Sequence, residues 1–576
     1  MAAVRAGGIP AHPTEEIELA AQLPMGIQAS LRDSRFKVLD VVLIAAVCAA
    51  AAAVLGKDIA RGGLIDPDAS AHVMDGVLIH DWVLAGPKAW TDPMRFAREQ
   101  YGHYPTLGIG GHYPPGFAVV EAAFFLIFGV SATTARLCVV FFGIAAAAGC
   151  FVFVRGFAER STAAIASILL LAVPASTWWG RQVMLEVPLL AALLWAAVAF
   201  SYYLSVPGWK RFFVMCLAAG MTVLFKQSGV FLICAIAMTL TFLAIRGRIF
   251  KSHAAACVLV AVCVLGGTLA TMDDACLKTV SGYVTHAPWS VASMLFYPRS
   301  LPELVGVFVL AAAMVGAVLS FYRVIDHTWF LAAWLLVGMA MVTTASLKTP
   351  RFAYVVIVPL VVWASMAFGR VLAVIPFPKW RNGVCIAIVV YVAYRGFERP
   401  VSDGPDFGAV VHAHQVQIKG EVVLFSGLRD GDFVFSVREQ IPWRKCVVMR
   451  GSKLFYTCIA GPDLDMVPYS QTQEDLAETM RQFAFPQVFV ERDNRVGAPQ
   501  DDWLRTYLRE SGEYAHVDSV LVQEAEGSAG VAVYVDVYRL ARPRQRQVDH
   551  YDIPIPRTRE SIRIDFPTAG ISGFAS

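Results

Sequence analysis

Residues 38–55 read VLDVVLIAAVCAAAAAVL, an apolar run of eighteen residues in which Asp40 is the one charged residue. As a helix, a run of this length reaches across most of the roughly 30 Å hydrocarbon core of a bilayer. Over all 576 residues, 57% are hydrophobic and 16% are charged, which leaves too little polar surface for a large soluble globule. The sequence therefore predicts a polytopic membrane protein.

Further apolar stretches, most of them roughly 14 to 20 residues long and bounded by charge or by Pro and Gly, predict more spanning helices. They are 137–154, 162–179, 188–204, 212–225, 229–245, 254–271, 304–322, 329–345, 352–368 and, shorter than the others, 384–394. The stretch 114–129 is ambiguous, and we expect a juxtamembrane or re-entrant helix there. The predicted fold is an α-helical membrane protein with about eleven crossings.

Basic residues in the connectors set the predicted orientation. If the stretch 114–129 does not cross the membrane, five basic connectors lie on the same side as the N-terminal tail. They contain Arg155, Arg211, Arg248, Arg323 and Arg370. The positive-inside rule makes that side cytoplasmic. A crossing at 114–129 would move all these basic loops outside, which is why we place that stretch at the outer face.

The sequence predicts four regions: a cytoplasmic tail at 1–36, a membrane domain at 37–398, a soluble α/β domain at 399–541, and a polar, extended tail at 542–576. Within the soluble domain, strand-like patterns cover 421–425, 432–437, 446–449, 487–491 and 531–537, and 474–483 is helix-like. Cys446 and Cys458 are the plausible disulfide pair, because most other cysteines lie inside spans. We expect the soluble domain at the outer, periplasmic face of the cytoplasmic membrane.

The first loop, residues 56–136, holds the motifs that suggest chemistry. It contains Asp66-Pro67-Asp68, followed four residues later by His72, and the stretch GIGGHYPPG at 108–116. A lone acidic residue beside a membrane is often a solvated flank, and a glycine-rich stretch is often only a turn. Here, ionisable residues at the predicted outer ends of several spans accompany them: Arg136, Arg181, Glu186, Lys226, Lys348 and Arg351.

Basic residues at outer ends oppose the positive-inside bias, and ionisable residues near membrane depth are costly enough to be functional candidates by default. A site that combines one or two carboxylates with several cations suits a lipid-linked phosphate. The cations would bind the phosphate, and a carboxylate would accept a proton from an acceptor hydroxyl. We therefore expect a phosphate-binding catalytic site at this face.

The order of these motifs resembles the GT-C glycosyltransferases, and most closely the bacterial protein-mannosyltransferase-like and aminoarabinose-transferase-like proteins. The features that carry the resemblance, within 37–397, are the Asp motif after the first span, Pro114-Pro115-Gly116, Ala135-Arg136, GRQVMLEVP at 180–188 and KTPRFAY at 348–354. The resemblance implies an inverting transferase with a polyprenyl-phosphate sugar donor and an active site between the first loop and the membrane.

The resemblance implies that Asp68 is the general base, aligned by its spacing to His72. The family usually shows Asp-Glu, and Ala69 stands where the Glu is usual, so Asp66 remains the alternative base. His112, beside the two prolines, is implied to contact the donor phosphate. Its alternative is an interfacial histidine hydrogen-bonded to the loop.

Substrate binding is implied for the remaining ionisable residues: Arg136, Arg181, Glu186, Lys226, Lys348 and Arg351. Each has an ordinary alternative. Arg136, Lys348 and Arg351 would be interfacial anchors, and Lys226 would snorkel from the end of a short span. Arg181 and Glu186 would pair with each other as a structural bridge.

We expect no cofactor and no nucleic acid. Asp66 and Asp68 also form an Asp-x-Asp pair, which in other GT-C enzymes helps to hold a divalent cation, but two carboxylates do not define a metal site. No P-loop and no strand followed by Gly-x-Gly-x-x-Gly is present. No basic run interleaved with aromatics suggests nucleic acid.

The function that we predict is transfer of a hexosyl or pentosyl group from a polyprenyl-phosphate donor to an acceptor at the outer face of the bacterial cytoplasmic membrane. The acceptor is not identified by the sequence. The alternative is a transporter or flippase of a lipid-linked or anionic solute, which would favour two pseudo-symmetric halves. No internal repeat is evident, and the ionisable residues cluster at one face. A membrane-anchored binding protein that works through its soluble domain is a third alternative.

Overall fold

The computed structural model describes residues 38–106, 113–271, 290–323, 326–344, 348–400, 403–442, 444–457, 466–493, 495–524, 532–554 and 561–566. It is mostly helical through the first four hundred residues and contains strands after them. The predicted class, a polytopic helical protein with a C-terminal α/β domain, is confirmed.

Apolar helices make up the membrane domain. Their bounds are Val38–Leu55, Ala132–Arg155, Arg160–Ala172, Pro174–Trp179, Glu186–Ser205, Trp209–Phe225, Val230–Ile245, Lys251–Thr271, Val291–Val305, Val307–Arg323, Asp326–Thr344, Ile357–Ala373 and Pro378–Glu398, with 3₁₀ turns at Gln227–Gly229 and Pro350–Val356. Every predicted span coincides with one of these helices or with two consecutive ones.

Within the described residues, seven helices are long and apolar enough to cross a membrane, or eight if the pair Val291–Val305 and Val307–Tyr322, bent by 111°, counts as one span. The bend falls at Gly306, whose φ of +87° suits a residue without a Cβ. Another break falls at Val173, which is extended because Pro174 follows it. The count of about eleven crossings stays a prediction.

The first loop folds into four helices: Ala69–Leu84, Pro87–Trp90, Pro93–His103 and Gly116–Phe128. The last has 13 residues and therefore a length of about 20 Å, shorter than a bilayer core. This length fits the juxtamembrane helix predicted at 114–129. It packs on Ala69–Leu84, with the buried carboxyl of Glu121 against Gly76, where a Cβ would lie 2.3 Å from Glu121 Oε2.

The C-terminal domain is built on a five-stranded sheet whose strands lie in the order Val447–Arg450 (β2), Val422–Ser426 (β1), Gln487–Glu491 (β5), Val533–Leu540 (β7) and Tyr514–Gln523 (β6). Its strands are β1 (Val422–Ser426), β2 (Val447–Arg450), β3 (Tyr456–Thr457), β4 (Val467–Pro468), β5 (Gln487–Glu491), β6 (Tyr514–Gln523), β7 (Val533–Leu540), β8 (His550–Pro554) and β9 (Ser561–Asp565). Strand β1 pairs in parallel with β2 and β5, and β7 is antiparallel to β5 and β6. The helices are Phe407–Ile418, Asp430–Gln440, Gly451–Leu454, Gln473–Phe483 and Pro499–Glu510.

Alternation along β1 shows how the domain joins the rest of the protein. Val423 and Phe425 belong to the large core that also contains the membrane helices, whereas Val422 and Leu424 belong to a second core on the other face of the sheet. Because successive side chains of a strand point to opposite faces, one face of this sheet packs toward the first loop. The domain and the membrane part therefore share a core.

Two secondary-structure predictions for this domain are wrong. Residues 432–437 are part of the helix Asp430–Gln440, because nine consecutive residues of that helix are buried between the sheet and the first loop and leave no polar face to reveal a helical period. The tail beyond 542 is not simply extended, since β8 and β9 pair in it as an antiparallel hairpin. The other predicted strands and the helix 474–483 are confirmed within a few residues.

Candidate active site

The Asp motif of the first loop lies against Arg351. Asp68 is the N-cap of helix Ala69–Leu84, and its Oδ2 accepts a hydrogen bond from Arg351 Nη2 at 2.7 Å. Asp66 Oδ1 accepts the backbone N–H of Asp68 at 2.9 Å and lies 3.8 Å from Arg351 Nη1. Arg351 comes from the 3₁₀ turn Pro350–Val356 that precedes a spanning helix, so the turn carries the guanidinium to the loop.

A second ion pair joins two other spans. Glu186 is the first residue of helix Glu186–Ser205, and its Oε1 accepts from Lys226 Nζ at 2.7 Å. Lys226 is extended and separates helix Trp209–Phe225 from the following 3₁₀ turn, which places its side chain at the helix end. Glu186 is buried, and its Oε2 has no hydrogen-bond partner in the described part of the chain.

The two ion pairs form one cluster. Arg351 and Lys226 lie 5.6 Å and 5.8 Å from the centroid of the same ring, that of Phe352. Glu186 interacts electrostatically with Arg351, and Asp68 with Lys226. Three carboxylates and two cations thus converge where the first loop meets the ends of three spans. An anion that entered this cluster could replace the carboxylates as the hydrogen-bond acceptor of both cations.

The surroundings of Asp66 and Asp68 shift the pKa values of the two carboxyls in opposite directions. Burial raises the pKa of Asp66 above its ordinary value. Burial also acts to raise the pKa of Asp68, but the charge and hydrogen bond of Arg351 outweigh it and lower the pKa below the ordinary value. Asp68 is therefore an ionised carboxylate held by a cation, while Asp66 is the more basic of the two.

His72 and Tyr113 belong to the cluster although the sequence did not single them out as site residues. Their rings are 4.5 Å apart and edge-to-face, and His72 interacts with Asp68 and Glu186. Burial lowers the pKa of His72 to about 4, so it is neutral at ordinary pH. The signal was present: His72 follows Asp68 by one helical turn, and its N–H donates to the Asp68 carbonyl.

Lys348, which we predicted with Arg351, has a different environment. Its Nζ donates to the carbonyls of Val342 at 3.3 Å and Thr343 at 2.6 Å, at the end of helix Asp326–Thr344, and lies 5.5 Å from the Tyr297 ring centroid. These contacts fit a cation that satisfies the last carbonyls of a helix. His112 lies outside the described residues.

Arg136 and Arg181 are held by backbone carbonyls. Arg136 donates to Ile59 at 2.9 Å, Arg61 at 3.0 Å and Gly62 at 2.9 Å, and also to Gly63. Arg181 donates to the carbonyls of Val54, Gly396 and Arg399 at distances of 2.7 to 3.0 Å. Both side chains are buried. The contacts favour an anchoring role for both, and the alternative bridge between Arg181 and Glu186 is not formed, because Glu186 binds Lys226.

Within the described residues, no group of three or more His, Cys, Asp or Glu side chains is arranged to hold a metal ion. Asp66 and Asp68 both face Arg351, whose charge would oppose a divalent cation between them. In the C-terminal domain, Cys446 is a buried free thiol 3.9 Å from the hydroxyl of Tyr104, and Cys458 lies outside the described residues.

Comparisons with known proteins bear on this arrangement. Residues 112–270 match the family of dolichyl-phosphate-mannose-protein mannosyltransferases. No curated protein matches the chain by sequence. The matched segment contains Arg136, Arg181, Glu186 and Lys226, and ends before Arg351.

Solved structures resemble nearly the whole chain. ArnT from Cupriavidus metallidurans in the apo state superposes with a TM-score of 0.53 at 15% identity, covering 87% of this chain and 98% of that one. The same protein bound to undecaprenyl phosphate superposes with a TM-score of 0.52 at 14% identity, covering 86% of this chain and 97% of that one. The apo oligosaccharyltransferase of Archaeoglobus fulgidus superposes with a TM-score of 0.50 at 11% identity, covering 80% of this chain and 70% of that one.

At these identities the structural likeness shows the fold, which extends through the C-terminal domain because about nine-tenths of the chain is covered by ArnT. The family match adds an independent sequence signal over the spans that carry Glu186 and Lys226. The chain is thus similar to the mannosyltransferase family over residues 112–270, and its multi-pass fold is similar to that of ArnT.

Proposed function

We propose that this protein transfers a sugar from a polyprenyl-phosphate donor to an acceptor hydroxyl or phosphate at the outer face of a bacterial cytoplasmic membrane. The observation that carries the proposal is the cluster of Lys226 and Arg351 with Glu186 and Asp68, at the ends of the spans and beside the first loop. ArnT, which shares the fold, has been solved with undecaprenyl phosphate bound, and this supports a lipid-linked donor here.

The ion pairs suggest how the donor binds. A polyprenyl phosphate brings an anion to the membrane surface on an apolar chain, so it can compete with Asp68 for Arg351 and with Glu186 for Lys226. Hydrogen bonds between these cations and phosphate oxygens are charge-assisted, like the bonds they replace. The exchange costs little and frees the Asp68 carboxylate.

In the reaction, the freed Asp68 takes the proton of the acceptor O–H while the acceptor oxygen forms a bond to the anomeric carbon of the sugar. The bond from that carbon to the phosphate oxygen breaks, and the polyprenyl phosphate leaves with the electron pair. Lys226 and Arg351 stabilise the charge that develops on the phosphate. Attack opposite to the leaving group inverts the anomeric configuration. Asp66, whose pKa is raised by burial, is the alternative base.

Deletion of the gene in its host tests the proposal without knowledge of the acceptor. We expect one polyprenyl-phosphate sugar to accumulate, and wild-type protein but not the Asp68→Asn variant to remove it. The purified protein in liposomes should release undecaprenyl phosphate from that lipid when membrane extract supplies the acceptor. Movement of the lipid between leaflets without loss of its sugar would instead identify a flippase.

A further inference from the structure

The backbone that leads from the first span to Asp66 is held mainly by arginines. Arg181 binds the carbonyl of Val54, and Arg136 binds those of Ile59, Arg61, Gly62 and Gly63. The next two carbonyls, of Leu64 and Ile65, accept from Arg429. Buried carbonyls need hydrogen-bond partners, and this irregular segment has few backbone partners of its own. The last of these arginines comes from the C-terminal domain.

Arg429 is well placed to fix the peptide units before Asp66. Its Nη1 donates to the Ile65 carbonyl at 2.7 Å and its Nη2 to the Leu64 carbonyl at 2.9 Å. Its Nε donates to Asp432 Oδ2 at 2.7 Å, and both side chains are almost buried. A planar guanidinium with three of its nitrogens engaged has little freedom to move. The carbonyl nearest Asp66 is therefore tied to the sheet domain.

A steric contact reinforces this tie. The backbone of Gly431 lies so close to the first loop that a Cβ there would be 2.4 Å from Ser70 Oγ and 3.2 Å from Thr106 Oγ1. Ser70 is two residues beyond Asp68, and Asp432 lies beside its hydroxyl. The segment from Leu64 to Ser70 is thus contacted at both ends by residues 429–432.

We propose that Arg429, supported by Asp432 and Gly431, is a positioning residue through which the C-terminal domain holds Asp66 and Asp68 against Arg351. The inference rests on the function proposed above for Asp68. It assigns the C-terminal domain a part in catalysis through the shape of the first loop, whatever else that domain binds.

Hydrogen–deuterium exchange of the full-length protein in detergent tests the proposal without needing a substrate. The N–H groups of Asp68, Ala69 and His72 are hydrogen-bonded within the loop, so a peptide covering 66–72 reports its order. In Arg429→Met we expect exchange in this peptide to be at least about tenfold faster, since a charge-assisted hydrogen bond is worth a decade or more in an equilibrium constant. Arg429→Lys should recover part of the protection, because its ammonium can still donate.

Arg444→Met is the matched control. Arg444 joins the same domain to the same loop through Glu99, which lies in the helix Pro93–His103 and not in the segment 64–70 that contains Asp66. The Arg444→Met substitution should leave the rate of hydrogen–deuterium exchange in peptide 66–72 unchanged. Gly431→Ala keeps every charge and should speed exchange by crowding Ser70, which covers the case in which Arg429→Met does not fold.

A second readout separates positioning from general damage. Arg429→Met should lower the turnover of a polyprenyl-phosphate sugar about tenfold or more while leaving its affinity for undecaprenyl phosphate unchanged, because Arg351 and Lys226 are intact. Unchanged exchange in Arg429→Met, or equal acceleration in Arg444→Met, would overturn the proposal. Faster exchange in a protein whose wild type releases no polyprenyl phosphate would support the positioning role and reject the transferase function.

Discussion

Two sets of cations lie near the first loop and differ in the groups that accept their hydrogen bonds. Lys226 and Arg351 face carboxylates, with hydrogen bonds of 2.7 Å to Glu186 and Asp68. Arg136 and Arg181 face backbone carbonyls only in the contacts that the structure describes, seven carbonyl acceptors between them. From the sequence, all four are basic residues at the predicted outer ends of spans.

The hydrogen-bond acceptor of each cation determines whether that cation can bind a substrate. A carboxylate side chain can rotate away and meet water, so a phosphate can replace it at small cost. A backbone carbonyl inside the fold cannot leave, and a phosphate that drew the arginine away would strand several buried acceptors at about 1 to 3 kcal/mol each. Cations paired with carboxylates are therefore suited to ligands, and cations saturated by carbonyls to holding the chain in place.

Substitution of the Asp68 carboxylate should have the strongest effect on activity. Asp68→Asn should lower turnover by about 10²- to 10⁴-fold, because an amide cannot accept the acceptor proton at neutral pH. The same variant should bind undecaprenyl phosphate at least as tightly as the wild type, since the group that competes for Arg351 has lost its charge. Measured turnover with binding in parallel checks both parts. Asp66→Asn is the control, and a larger loss there would move the base to Asp66.

The next effect concerns the cations themselves. Lys226→Gln and Arg351→Gln should each weaken binding of undecaprenyl phosphate about tenfold or more, because each removes a charge-assisted hydrogen bond. Uncharged undecaprenol should bind these variants and the wild type alike. Arg248→Gln, which breaks an ion pair with Asp326 on a basic connector, serves as the control. Equal losses for the phosphate and the alcohol would show that these residues only pack or anchor.

The carbonyl-bound arginines should behave in the opposite way. Arg136→Gln should reduce the free energy of unfolding by roughly 2 to 4 kcal/mol, because four carbonyls of the first loop lose a charged donor. Arg181→Gln should act in the same direction. Thermal unfolding of the purified proteins measures this, and the folded fraction should retain wild-type affinity for undecaprenyl phosphate. A stable Arg136→Gln protein that no longer binds the lipid would show that Arg136 binds the donor and is not only an anchor.

The smallest effect is in the pH dependence. A general base must be ionised, so activity is lost as pH falls through its pKa. Arg351 lowers the pKa of Asp68, so kcat/KM, which reports the free enzyme, should stay flat from about pH 8 down to about pH 5. The raised pKa of Asp66 would instead place the acid limb above the ordinary range for an aspartate. A fall in kcat/KM within this pH range that is absent from the Asp66→Asn variant would favour Asp66 as the general base.

The sequence predicted the membrane class and the α/β domain, because hydropathy and strand patterns are properties of each segment alone. It could not separate Arg351 from Arg136. Their partners lie 283 residues away for Arg351 and 73 to 77 residues away for Arg136, so only the packed helices decide whether a carboxylate or a carbonyl meets the guanidinium.

The same limit applies elsewhere in the chain. His72 was within reach of sequence reasoning, one turn after Asp68 on the same helix. Arg429 was not, because its target carbonyls belong to a loop more than three hundred residues earlier. The prediction of a strand at 432–437 is wrong because burial on all sides of the helix Asp430–Gln440 removes the periodicity on which such a prediction depends.

A structure of the wild-type protein with bound undecaprenyl phosphate would show which cations bind the lipid phosphate. We predict the phosphate within hydrogen-bond distance of Lys226 Nζ and the Arg351 guanidinium, with the 2.7 Å contact between Arg351 and Asp68 broken. The carbonyl contacts of Arg136 and Arg181 should be unchanged. A phosphate bound by Arg136 or Arg181, with both carboxylate pairs intact, would show that Lys226 and Arg351 are not the phosphate-binding cations.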